Sequence, residues 1–276
     1  MKKIMQLRYN LYIVNVLAVI VFTAIGCQDT EYPEPKPAEG SSASTANIFA
    51  IHASPDAPAL TFLVNNIQIG TPLNFGSSFS NYVSTPVGQA QVKASAQTGT
   101  IGGTIGSGSI LYRGGATNQN NFTFANGSFY TVFVIDTLNR PKPTTVNATN
   151  PGGPQFLGPV RDNLSVPPTG SAKVRFLNLA PGAPDVSLSA GSVTLAGRGY
   201  SRTASSGTPS VDYVAFSNIP SGNYTLNVSG TGVSVTNDFT FQEGKIYTVY
   251  LTGQAVKSGN TTIVKKPFAV KVVQHN

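Results

Sequence analysis

The residue types here that could attack, shuttle a proton or ligate a metal are few. Cys27 is the single cysteine, His52 and His275 are the two histidines, and eleven carboxylates complete the set. Cys27 ends an apolar run, in Ala24-Ile25-Gly26-Cys27, and the polar, proline-spaced "QDTEYPEPKP" follows it. With no second sulfur to pair with, a thiol so placed suits attachment chemistry rather than a disulfide. Beyond residue 45 the acids are Asp56, Asp136, Asp162, Asp185, Asp212, Asp238 and Glu243. Glycoside hydrolysis needs two carboxylates flanking one bond, and nothing in the spacing pairs these, so they read as turn caps. Three or more metal ligands are hard to assemble from two histidines and one terminal thiol. His52 has no Gly-x-Ser-x-Gly elbow to serve and is expected to be structural, at the end of the first strand. His275, next to the last residue, is expected to fray or to cap the final strand. "TGTIGGTIGSGS" (98–109) lacks the Gly-Lys-Ser/Thr ending of a phosphate-binding loop. No catalytic, cofactor-binding or metal-binding residue is therefore expected, and no enzyme.

Cys27 gains its meaning from the segment before it. Lys2, Lys3 and Arg8 form a positive start, and "LYIVNVLAVIVFTAIG" (11–26) is apolar but interrupted by Asn15. That run is shorter than the roughly 20 residues of a spanning helix and has the layout of an export signal. Ala24-Ile25-Gly26-Cys27 resembles the lipobox of bacterial lipoproteins, with Ala24 where leucine is usual. The resemblance implies cleavage before Cys27 and lipidation of its thiol, so the membrane is an expected partner through that lipid. Residues 1–26 are read as a lipoprotein signal peptide and 27–45 as a disordered tether rich in Pro, Ser and acids. Gln28, Asp29 and Glu31 resemble the signals that send lipoproteins of Bacteroidota to the outer cell surface. An outer-membrane, surface-facing protein is the expected localisation. Removing Lys2, Lys3 and Arg8 takes three charges from the net +7 and leaves +4. The remaining cations are scattered without an aromatic-laced stripe, so nucleic acid is not an expected partner.

The body must position whatever remains, and it repeats itself. "ANIFAIHASPDAPALTFLV" (46–64) aligns without a gap to "AKVRFLNLAPGAPDVSLSA" (172–190). "TPVGQAQVKA" (85–94) matches "IPSGNYTLNV" (219–228), and "FTFANGSFYTVFV" (122–134) matches "FTFQEGKIYTVYL" (239–251), in the same order. The division falls near "SVPPTGS", giving repeats over 46–168 and 169–276. Period-2 runs such as Ile48, Ala50 and His52 against Phe49, Ile51 and Ala53 read as strands. Pro55-Asp56, Asn65-Asn66, Val87-Gly88, Asn126-Gly127 and Ser221-Gly222 punctuate them as turns. With 28 Gly, 19 Pro and 11% charged residues, the expected fold is all-β. It consists of two immunoglobulin-like antiparallel β-sandwich domains after the signal peptide and tether. Phe122, Phe124, Tyr130, Val132, Phe239, Phe241, Tyr247 and Val249 are the expected core.

"IHASPDAPALTFLVNN", Tyr82 ahead of "TPVGQAQV", and "NGSFYTVFV" resemble the bacterial family called domain of unknown function 4397. "VRFLNLAPGAPDVSL", "IPSGNYTLNV" and "EGKIYTVYL" resemble a second copy. The resemblance spans about residues 46–276 and implies secreted or lipid-anchored β-sandwich proteins without assigned catalytic residues. The family's H-x-S-P-D pattern stands once, because Asn178 and Gly182 take the places of His52 and Asp56. Tyr82, Tyr112, Tyr200, Tyr213 and Tyr224 could stack on sugars, but without any Trp they are expected to cover the sandwiches instead. The expected function is a non-enzymatic binding or structural module of the envelope, with an extracellular glycan or protein as ligand. A polysaccharide-binding accessory lipoprotein of a glycan-uptake system is the alternative. Recognition is expected in the loops that differ between repeats, including 96–121 and 191–212.

Overall fold

Short runs of Val, Ile, Phe, Tyr and Thr between Gly, Pro and Asn turns leave the backbone little choice but strands. A computed structural model describes residues 44–96, 111–112, 121–141, 152–206, 209–258 and 261–276. The signal peptide and nearly all of the tether expected at the N-terminus lie outside the described residues, as does most of 96–121. No described residue is helical. The first half comprises β1 (Thr45–His52), β2 (Leu60–Val64), β3 (Ile67–Leu73), β4 (Val83–Pro86), β5 (Gly88–Ala96), β6 (Leu111–Tyr112), β7 (Asn121–Phe124), β8 (Phe129–Ile135) and β9 (Gln155–Asp162). The second comprises β10 (Ser171–Asn178), β11 (Val186–Ala190), β12 (Val193–Arg198), β13 (Ser217–Pro220), β14 (Gly222–Gly230), β15 (Val233–Phe241), β16 (Ile246–Ser258) and β17 (Thr261–Gln274).

Sheets β4-β1-β8-β9-β6 and β3-β2-β5-β7 form one sandwich, and β13-β10-β16-β17 and β12-β11-β14-β15 form the other. Strand for strand the two orders agree, except that β6 has no counterpart beside β17. The sandwiches are as expected; their pairing is not purely antiparallel. β1 runs parallel to β8, β10 parallel to β16, and β6 parallel to β9. The cause is topological: each first strand feeds a strand of the opposite sheet. No hairpin then reverses its direction relative to the late strand beside it.

The turns follow their residues. Asn65 and Asn66 take φ of 49° and 66°, the positive pair that a two-residue hairpin between β2 and β3 requires. Of the eight expected core residues seven are buried, and Phe239 is half-buried. Burial of each such ring or branched chain stabilises the fold by about 1.5–3 kcal/mol.

β1, β8 and β10 are buried on both faces over most of their length. In β8, Tyr130, Val132 and Val134 alternate with Thr131, Phe133 and Ile135, and all six are buried. The second set faces the other sandwich. Leu177, Leu179, Tyr213 and Tyr250 of the second half accordingly join the apolar cluster of the first. The two sheets thus pack back to back, giving four β layers, and Ala43–Asn276 is one compact unit. Strands covered on both faces read as continuous apolar runs, which is what "NIFAIHA" and "FYTVFVI" are.

Candidate functional site

The H-x-S-P-D corner is built around a histidine with no solvent exposure. His52 Nε2 meets Pro58 O at 3.1 Å, and Nδ1 accepts the Ser54 amide at 3.3 Å. A carbonyl accepts and an amide donates, so the ring is the neutral Nε2–H tautomer. Burial pushes its pKa down to about 4, against a smaller upward pull from the Pro58 carbonyl. Asp56 Oδ1 accepts the Leu138 amide at 2.9 Å, tying the corner to the turn after β8. At the matching corner Asn178 repeats the pattern. Its Nδ2 donates to Pro184 O at 2.9 Å, and its Oδ1 accepts the Ala180 amide at 3.2 Å.

Between the sandwiches lies a polar network that the linear sequence hid. Arg175 Nη1 and Asp162 Oδ1 are 2.6 Å apart, and neither side chain is exposed. Arg175 Nε donates to Thr248 Oγ1 at 2.7 Å and Nη2 to Thr131 Oγ1 at 3.0 Å. Asp162 Oδ2 accepts from Thr131 Oγ1 at 2.6 Å and from the Tyr82 hydroxyl at 2.7 Å. The guanidinium lies 4.5 Å from the Phe216 ring and 5.6 Å from that of Phe133. Each charge is thus paired and its neighbours saturated, the condition under which a buried ion pair persists.

His275 belongs to this network, which corrects the expectation of a fraying residue. β17 runs antiparallel along β16 as far as Gln274 opposite Tyr247, and the His275 amide donates to Ile246 O at 2.8 Å. The ring therefore enters the buried layer. Its Nε2 is 2.6 Å from Thr248 Oγ1 and its Nδ1 is 3.0 Å from the Tyr82 hydroxyl. One proton arrangement fits all contacts: Nδ1–H donates to Tyr82, which donates to Asp162, while Thr248 donates to Nε2. Burial first, and Arg175 second, push the His275 pKa down to about 3, with Asp162 opposing. Burial, then Asp162, pushes the Tyr82 hydroxyl up.

Beside this junction lies an open groove of about 1010 Å³. One wall is β9 from Phe156 to Arg161, and the other comes from Tyr200–Ala204, Asp212 and Val214. Gly158 holds φ +103° there, and a Cβ would lie 2.8 Å from Thr131 O, so the wall's shape needs glycine. The opposite wall is held from behind. The Tyr200 hydroxyl donates to Asp136 Oδ1, and the Tyr213 hydroxyl donates to Gly197 O at 2.8 Å under the Arg198 guanidinium. Asp212, the one acid lining the groove, accepts the Val214 and Ala215 amides on Oδ1.

The sequence candidates scatter. Asp56 and Asp162 serve the contacts above, and Asp185 is exposed outside the groove. Tyr82 is in the junction, Tyr200 lines the groove, Tyr213 is buried, and Tyr224 lies on β14 with its hydroxyl on Pro220 O. These four form no row of rings. The Tyr112 side chain and Cys27 lie outside the described residues. Among the described residues no three His, Cys, Asp or Glu cluster as metal ligands. Arg175, Thr131, Thr248 and the groove were missed in the sequence, where only the pairing of the two apolar "YTV" runs could have signalled a shared buried layer.

An all-β chain of two sandwiches with a polar groove at their junction is the class that fold and site define. The chain belongs to the family of the domain of unknown function (DUF4397), which matches residues 46–189, more than half its length. That match runs through the first sandwich into β11 of the second. No curated protein matches the chain.

Proposed function

We propose that this protein is a lipid-anchored binding module of the bacterial cell envelope, made of two copies of the family's sandwich. Export and lipidation are supported by Lys2, Lys3 and Arg8, the apolar 11–26 run and Cys27 after Gly26. Gln28, Asp29 and Glu31 support a surface-facing position. The second copy is supported by the shared strand order and by Asn178 taking both hydrogen-bond roles of His52.

The observation that carries a binding role is the groove itself. It sits beside the layer where a buried ion pair joins the two sandwiches, and the one carboxylate in its described lining is engaged by backbone amides. Such a site can hold a ligand, and among its described lining residues there is no second carboxylate with which to hydrolyse one. The test is an array of envelope and matrix glycans and proteins, probed with the full chain in detergent. A hit that competes with substitution of groove residues supports binding; silence across both arrays leaves a purely structural envelope role. Cys27→Ala should abolish incorporation of radiolabelled palmitate, and unchanged labelling would sink the anchor.

A further inference from the structure

We infer that the groove grips an anionic glycan through Arg161 and Arg202, a deepening that rests on the binding role proposed above. The argument begins with how the described arginines are used. Arg175 is paired with Asp162, Arg140 contacts Asp136 and donates to Gly153 O, and Arg198 stacks on Tyr213. Arg161 and Arg202 are exposed, line the groove, and have no side-chain hydrogen bond or ion pair among the described residues. They come from opposite walls, Arg161 from β9 of the first sandwich and Arg202 from the excursion after β12 of the second. The buried junction fixes the two walls relative to each other, so the two cations are presented together. Asp212 keeps its charge with Oδ1 on two amides and acts on the nearby Arg198, so the lining carries two cations against one anion.

A guanidinium is a planar fork that matches a carboxylate or sulfate ester two oxygens at a time. The walls also offer the half-buried Pro159 and Val214. These are apolar surfaces against which sugar-ring C–H groups can lie. An acidic peptide fits less well. Pro159 has no N–H, and the β8–β9 register shifts between Thr131 and Phe133, so this part of β9 offers no regular ladder to an added strand. The shared ligand chemistry is an oxyanion on a polysaccharide, from uronate or from sulfate ester.

The experiment titrates the full chain in detergent with polygalacturonate, dextran sulfate, neutral dextran and poly-glutamate. At least one anionic glycan should bind, more weakly as salt rises, with dextran and poly-glutamate much weaker. Arg161→Gln and Arg202→Gln should each weaken that binding about tenfold with unchanged thermal melts, and Lys93→Gln, far from the groove, should not. Equal binding of poly-glutamate would make the partner an acidic peptide and overturn the glycan. Anionic binding that survives both arginine substitutions, or no binding of either anionic glycan, would also overturn it. A neutral glycan or protein found on the arrays would leave the binding role standing while this inference fails.

Discussion

The two faces of the junction occupy matching positions and use opposite chemistry. Residues 46–52 and 172–178 run in step, so Phe49 of β1 matches Arg175 of β10; likewise Thr131 of β8 matches Thr248 of β16. Asp162 stands opposite Phe129 and His275 opposite Ile246, which pairs Asp162 with His275 as equivalents. Across the layer Arg175 reaches Asp162 at 2.6 Å, while Phe49 packs on His275 with ring centres 5.0 Å apart. One half of a near-symmetric contact is ionic and the other is aromatic. Only the pairing of unlike halves saturates the buried charges, so the contact favours the partner within the chain over a second like half.

Acid should break this comparison most strongly. His52 and His275 are neutral when folded, with pKa values lowered from 6.5 to about 4 and about 3. Their contribution is fully present above pH 6.5 and is lost as pH falls from there through the folded values, because the unfolded state binds the proton first. Each contributes on the order of 3–5 kcal/mol. Urea midpoints measured from pH 7 to pH 4 should fall steeply. His52→Asn, which installs the Asn178 solution, should retain most stability at pH 7 and remove part of that slope. An unchanged slope would mean that His52 is not the titrating group.

The ionic half comes next. Arg175→Met strands the Asp162 carboxylate in a dry layer and should cost about 3–5 kcal/mol at pH 7. Arg175→Met with Asp162→Leu should recover most of that, since a matched apolar pair leaves no charge behind. Urea unfolding of both variants checks this; a double variant no better than the single would shift the weight to Thr131, Tyr82 and Thr248.

Much of the fold could be read from the chain, and the reasons are visible in particular residues. "NNI" with two asparagines and "ANG" named their turns because positive φ needs them. The doubly buried strands read as strands by their alternation, but nothing in that alternation says that both sets of side chains in β8 are covered. What stayed hidden was relational. Arg175 sits in an apolar run as "VRFL" and looks like an interruption until Asp162, thirteen residues earlier, is brought opposite it. His275 looks terminal because nothing in sequence says that β17 reaches the base of β16. The groove needs two walls from different sandwiches, so no single segment carries its pattern.

The matching corners offer a sharper contrast. Gly182 stands where Asp56 stands in the first sandwich, and the swap is not reciprocal. At Gly182 φ is +75° and a Cβ would lie 1.9 Å from Ala255 O, so Gly182→Asp must move backbone. It should cost at least about 2 kcal/mol, read as a lowered urea midpoint.

Asp56→Gly should be the mildest change. Asp56 is only half-buried, and its loss frees one amide, that of Leu138, rather than forcing a clash. Water can reach that amide in place of the carboxylate, so the expected cost is about 1 kcal/mol. The second sandwich shows why the loss is tolerable. There the Ala255 amide, which matches Leu138, donates to the Pro181 carbonyl at 2.8 Å without any side chain. Hydrogen exchange at Leu138 should therefore accelerate in Asp56→Gly while exchange at Ala255 stays unchanged. If Ala255 quickened as well, the two corners would be coupled through the junction, and the corners could no longer be treated as independent solutions to one backbone problem.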